Sequence, residues 1–184
     1  MSQCLCFYQS IRNSGTLNSS LMILKVATIP NPILKTLAKP VADISQDILN
    51  FIEDLTETVY SHKNCVGIAA PQVERSLQIA VIDVSNYPKP FKNHGKIILI
   101  NPIIMKSEGS RLGREGCLSV PEFTGNVTRK ENITIQYLDI CGNCVTLDTE
   151  GFESVVLQHE IDHLNGIVFL DRVTSLKTDI FRRK

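Results

Sequence analysis

The feature that most constrains this chain is a short run near its C-terminal end, Gln158-His159-Glu160-Ile161-Asp162-His163. Two histidines four residues apart on a helix lie one above the other, so both imidazoles can reach one metal ion. Glu160 sits about 100° around the helix from His159, close enough to touch a metal-bound water without ligating. Phe152, Val156, His159 and His163 form one stripe at helical spacing, which points the histidine pair into the apolar side of the helix. There a site would be dry and shielded. The spacing predicts an amphipathic helix over 152–164, stopped by Asn165-Gly166. Four His and ten Glu in 184 residues yield a His-Glu-x-x-His pattern by chance only about 0.005 times. The bland alternative, two satisfied histidines on a helix face, is the weaker reading.

Two histidines do not close a catalytic metal site, which wants three protein ligands and one open position. Beyond His163 come Asp171 and Asp179 but no His, Cys or Glu, which weighs against the common protease arrangement. Upstream, Cys117 lies within Arg114-Glu115-Gly116-Cys117-Leu118-Ser119-Val120-Pro121, whose glycine and proline place it in a loop or short edge strand. A thiolate there would be a soft third ligand suited to zinc or ferrous iron. On the residues alone, a small buried hydrophobe is the favoured reading of Cys117, ahead of a ligand.

Composition bounds the rest. With 19 Lys+Arg against 19 Asp+Glu the net charge is zero, which argues against a globally basic nucleic-acid binder. A hydrophobic share of 43% suits one globular domain. The longest dense apolar stretch, 97–105, is broken by Asn101-Pro102 and falls far short of the roughly 20 residues of a membrane span. Six cysteines without a secretory signal read as free thiols or ligands in a reducing cytoplasm. Residues 1–21 carry one Arg and no acid. They are expected to be a disordered extension, or to precede a true start at Met22; an organelle-targeting peptide is the alternative.

Residues 22–184 are expected to form a single metallohydrolase domain. Ser45 reads as an N-cap, and Ile48, Leu49, Ile52, Leu55 and Val59 predict a helix over 45–61. Residues 63–72 read as a loop, 77–84 as a buried strand, 97–104 as a strand bent at Pro102, and 109–116 as irregular. The alternating stretches 133–140 and 144–147 flank Gly142-Asn143, a hairpin signal. That turn also explains Cys141-Gly142-Asn143-Cys144 better than a zinc or redox pair does. The expected class is α+β.

Three segments together resemble peptide deformylase: Gly67-Ile68-Ala69-Ala70-Pro71-Gln72, Glu115-Gly116-Cys117-Leu118-Ser119, and the histidine run at 158–163. They occur in family order, and the similarity covers about 22–175. The architecture implied by the resemblance is small antiparallel or mixed β-sheets packed around a central metal-binding helix. The resemblance implies that Cys117, His159 and His163 bind one metal ion per chain, Fe(II) in many members and Zn in others. It implies removal of the N-formyl group from the initiator methionine of new polypeptides, releasing formate. A divalent ion brings the pKa of its bound water to about 7; Glu160 would take the proton and deliver it to the leaving amine. The resemblance assigns the oxyanion to the metal, the Leu118 backbone N–H and the Gln72 side-chain amide. Val66, Gly67, Gly116, Phe152, Val155 and Val156 are expected to line the substrate pocket. The implied partners are N-formylmethionyl nascent polypeptides, with no membrane and no direct nucleic-acid recognition. Lys177, Arg182, Arg183 and Lys184 form only a short basic tip in place of the long ribosome-docking helix of many members, so ribosome contact is expected to be weak at most. Cys65 stands where the family usually has glycine, and would be strained if the backbone there needed a positive φ. A metalloprotease, and a non-enzymatic metal-stabilised domain that binds nascent chains, are the competing readings.

Overall fold

The structure is a computed structural model that describes residues 21–85, 87 and 92–183; the expectation for the N-terminal extension lies outside these apart from Leu21. Strands β1 (Gly67–Ala69), β2 (Ile79–Asp83), β3 (Lys96–Glu108), β6 (Asn132–Leu138) and β7 (Cys144–Glu150) form a five-stranded sheet in that order. Strands β4 (Arg111–Cys117), β5 (Val120–Arg129) and β8 (Ile180–Arg182) form a second sheet. All strand pairs in both sheets are antiparallel. The helices are α1 (Gln46–Ser61) and α2 (Gly151–Leu164). The α+β expectation holds.

Side chains alternate along a strand, so a continuous apolar run implies burial on both faces. Strand β2 obeys this. Ile79 and Val81 join the core formed with Ile52, Leu55 and Val59 of α1. Ala80 and Ile82 join the core formed with Val156, Leu157 and Ile161 of α2. Ile98 and Ile100 of β3 divide from Ile97 and Leu99 in the same way. The large sheet is therefore the middle of three layers, with α1 on one face and α2 on the other.

Helix α1 matches its expectation. The Ser45 side chain accepts from the Ile48 N–H, and one face buries Ile48, Phe51, Ile52, Leu55, Thr58 and Val59. Helix α2 does not match the amphipathic expectation, because it is buried nearly all round, Glu153, Ser154, Gln158, Glu160, Asp162 and His163 included. Its stop at Gly166 is as expected: φ is +70°, and a Cβ there would lie 2.8 Å from the Lys35 and Thr36 backbone.

Several segments differ from expectation. The presumed loop 63–72 contains β1 and the start of a 3-10 turn, Ala70–Val73. The presumed irregular stretch 109–116 is mostly β4, where Gly113 and Gly116 sit in strand backbone and punctuate nothing. Strand β5 had no sequence signal that was recognised. The β6–β7 turn is longer than Gly142-Asn143. The Asp139 carboxylate accepts from Cys141 N, Asn143 N and Asn143 Nδ2, closing residues 139–143 into one turn. The bend at Pro102 appears as a register shift between Ile100 and Ile103. Cys65, Cys117 and Cys144 are free thiols, but Cys141 is disulfide-bonded, against the free-thiol expectation there. No helix among the described residues is long and apolar enough to cross a membrane.

Candidate metal centre

Strand β4 lies at an edge of the small sheet and ends at Cys117, beside a register shift in its pairing with β5. Period-two geometry puts Glu115 and Cys117 on one face of β4, and both are buried while Gly116 between them is exposed. Helix α2 presents His159 and His163 one turn apart. One ligand atom from each of Cys117, His159 and His163 lies within 4.8 Å of the others. Cys117 Sγ is 3.2 Å from His163 Nε2. A tetrahedral zinc-type site has a sulfur–nitrogen edge of about 3.6 Å, so the three residues fit an ion with only a small adjustment. Their chemistry, one thiolate and two imidazoles, suits zinc or ferrous iron. His163 turns Nε2 toward the thiol, and its other ring nitrogen, Nδ1, is buried with no hydrogen-bond partner.

His159 is held from behind. Its Nδ1 meets Glu115 Oε2 at 2.8 Å, which fixes the ring and leaves Nε2 for the cluster. Glu115 is itself gripped by Arg129, Nε to Oε1 at 2.7 Å and Nη2 to Oε2 at 3.0 Å. Arg129 Nη1 bonds the Asp162 carboxylate, which also accepts from Arg172 Nη2 at 2.6 Å. Burial pushes the Glu115 carboxyl up, but the His159 and Arg129 bonds outweigh it and hold the carboxyl at about 2. Burial also opposes charge on His159, yet its bonds to Cys117 and Glu115 raise it well above the usual histidine range. His163 is pushed well below that range by burial and by His159.

Glu160 is buried and its Oε2 has no partner. Burial raises its carboxyl to about 7 despite the opposing pull of His159. Such a group can both take and give a proton near neutrality. Gly67 makes room for it: a Cβ at that position would lie 2.7 Å from Glu160 Oε1. Gln72, in the turn after β1, accepts from Ala69 N–H through Oε1 at 2.8 Å. This aims Nε2 at Cys117 Sγ (3.3 Å) and Ser119 Oγ (3.2 Å).

A cysteine from one strand and a His-Glu-x-x-His helix, joined in this way, find a match among known proteins. The polypeptide deformylase family profile covers residues 23–179. The chain belongs to that family. Peptide deformylase 2 of Vibrio parahaemolyticus is 39% identical over 162 residues, spanning 88% of this chain and 93% of that one. The peptide deformylase of Halothermothrix orenii is 42% identical over 154 residues, 84% of this chain and 96% of its own. Among solved structures, the class I type b peptide deformylase of Acinetobacter baumannii bound to Met-Ala-Ser superposes with a TM-score of 0.78. It is 34% identical and covers 84% of this chain and 100% of that one.

In this deformylase the cluster opens on a cleft of about 410 Å³. Val66, Gly67, Gly116, Phe152, Val155 and Val156 all border it, together with Gln72, Leu118 and Glu160. Tyr87 adds a wall that sequence reasoning did not anticipate, its ring 4.3 Å from that of Phe152. Cys65 lacks the positive φ found at Asn64, Glu74 and Asn101, so its departure from the family glycine costs no backbone strain. Its Sγ donates to Gly67 O at 3.2 Å, and burial pushes the thiol up to about 12. It is a neutral wall residue. Sequence reasoning also missed Glu115, Arg129 and Arg172. Glu115 was within reach, since it stands two residues before Cys117, but only once 111–117 is read as a strand. Asp162 lies outside the ligand cluster and is linked to it through Arg129 and Glu115.

Proposed function

We infer that this chain removes the formyl group from the N-terminal methionine of newly made polypeptides and releases formate. The observation that carries this is the joining of Cys117, His159 and His163 beside a buried carboxyl, Glu160, at the floor of an apolar-walled cleft. Residues 22–184 are the proposed catalytic unit. Cys117, His159 and His163 would hold one divalent ion, Fe(2+) in first place and Zn(2+) as the alternative. When bound, that ion supplies Lewis acidity toward the formyl oxygen and an acidified water.

The remaining roles fall to the chain. Glu160, a buried carboxyl beside the cluster, accepts a proton from the attacking water and returns it to the leaving amine. The Gln72 amide donates to the oxygen on which charge develops, and its Ala69 tether keeps the NH₂ end pointed that way. The Leu118 backbone N–H is the second proposed donor. Phe152, Val155, Val156 and Val66 receive the methionine side chain, and Glu115 keeps His159 in one tautomer. The relative bound to Met-Ala-Ser supports a product with a free N-terminal methionine. The proposed compartment is the one in which formylated chains are made, the cytoplasm, with an organelle as the alternative.

The test is metal analysis of protein purified without oxygen, with formate release measured from a formyl-Met peptide. One ion per chain and rapid release are expected. Cys117→Ala should lose the ion while melting as a folded protein. Full metal occupancy in that variant would remove the thiol from the site.

A further inference from the structure

The rim of the cleft carries positive charge that the reaction above does not use. Lys63, Arg114 and Arg183 border it, while its acidic wall residues, Glu115 and Glu160, are buried. Arg183 comes from the far end of the chain. Strand β8 pairs with β5, and Arg183 N–H then donates to Glu122 O at 2.7 Å. This lays its guanidinium over Gly116, the residue next to Cys117: a Cβ there would lie 2.2 Å from Arg183 Nη2. The missing side chain at 116 is the space that the arginine occupies. Arg114, two residues earlier on the same face of β4, stacks its guanidinium over the Phe181 ring at 3.4 Å. Among the described residues, Arg75, Arg111, Arg129, Arg172 and Arg182 have carboxylate partners; Lys63, Arg114 and Arg183 have none.

Three exposed cations without carboxylate partners among the described residues, at the mouth of a site that takes peptides, attract anionic groups on whatever enters. We propose that Arg183, with Arg114 and Lys63, reads the residues that follow the formylmethionine and favours acidic side chains there over basic ones. The inference rests on the deformylase reading. It makes the C-terminal strand part of the substrate site.

The experiment measures formate release by the full-length, metal-loaded protein. The substrates are three formyl-Met peptides whose second and third residues are Asp-Glu, Asn-Gln or Lys-Lys. All are amidated at the C-terminus, so that no terminal carboxylate can stand in for a side chain. The expected order of kcat/KM is acidic, then neutral, then basic, converging at high salt. Arg183→Gln should lower the acidic-to-neutral ratio about two- to fivefold, carried by KM rather than kcat. Arg183→Lys should retain part of the preference, which a purely structural arginine would not explain. Equal rates on all three peptides in the unaltered protein, or an unchanged ratio in Arg183→Gln, would overturn the proposal. So would a uniform gain on all three peptides in that variant, because the side chain would then only crowd the cleft. Failure of the unaltered protein to process even the neutral peptide would instead sink the deformylase reading itself.

Discussion

The two helices flank the same sheet and solve opposite problems. Helix α1 buries one face and leaves Gln46, Asp47 and Tyr60 at the surface, as a helix covering a core should. Helix α2 is buried on almost every side yet carries six buried polar residues. Each buried polar group costs free energy unless it is paired, and most of those on α2 are. Glu153 accepts from His94 N and Thr149 Oγ1; Gln158 Nε2 donates to Lys130 O; Asp162 accepts from Arg129 and Arg172. The exceptions among buried side-chain atoms of the described residues are Glu160 Oε2 and His163 Nδ1. Both belong to side chains that border the Cys117–His159–His163 cluster or form part of it. The comparison teaches that α1 covers a core with one apolar face, while α2 gives up an apolar surface and carries the proposed metal ligands.

Substitutions can break this contrast. Glu160→Gln should cost about 10²–10⁴ in kcat with metal content kept; loss of the ion as well would make Glu160 a ligand. Arg129→Met leaves buried Glu115 with only His159 and buried Asp162 with only Arg172 as charged partners, and should cost about 3–5 kcal/mol of stability in denaturant unfolding. A cost below about 1 kcal/mol would mean that α2 does not depend on that network. Gln72→Leu should lower kcat by roughly 10²–10³, and a near-normal kcat would reject its role as an oxyanion donor. On α1, Ser45→Ala removes only a cap and should cost about 1 kcal/mol, with turnover unchanged. A change in kcat there would show that the two helices are not as independent as their separate cores suggest.

Legibility in the sequence followed the range of each interaction. Helix α1, the two-sided burial of β2, and the pairing of His159 with His163 are repeats within one turn or one strand period, and all three were readable. Cys117 was readable as a candidate, but its choice over a buried hydrophobe needed the family resemblance. The strand character of 111–117 was hidden by Gly109, Gly113 and Gly116, which resemble punctuation. In the fold, the space beside Gly116 is filled by Arg183 and that beside Gly67 by Glu160. Those neighbours sit far away along the chain and leave no local mark.

The residues alone therefore determined the chemistry on offer: two imidazoles and a carboxylate on one helix, a thiol upstream, and apolar strands to bury them. Tertiary structure decided the rest. It set Glu115 behind His159, linked that pair through Arg129 to Asp162, and brought Arg183 to the cleft. The physical reason is that periodicity is a property of neighbouring residues. A hydrogen bond between β4 and α2, or an arginine resting on a glycine 67 positions away, exists only after the chain has closed on itself.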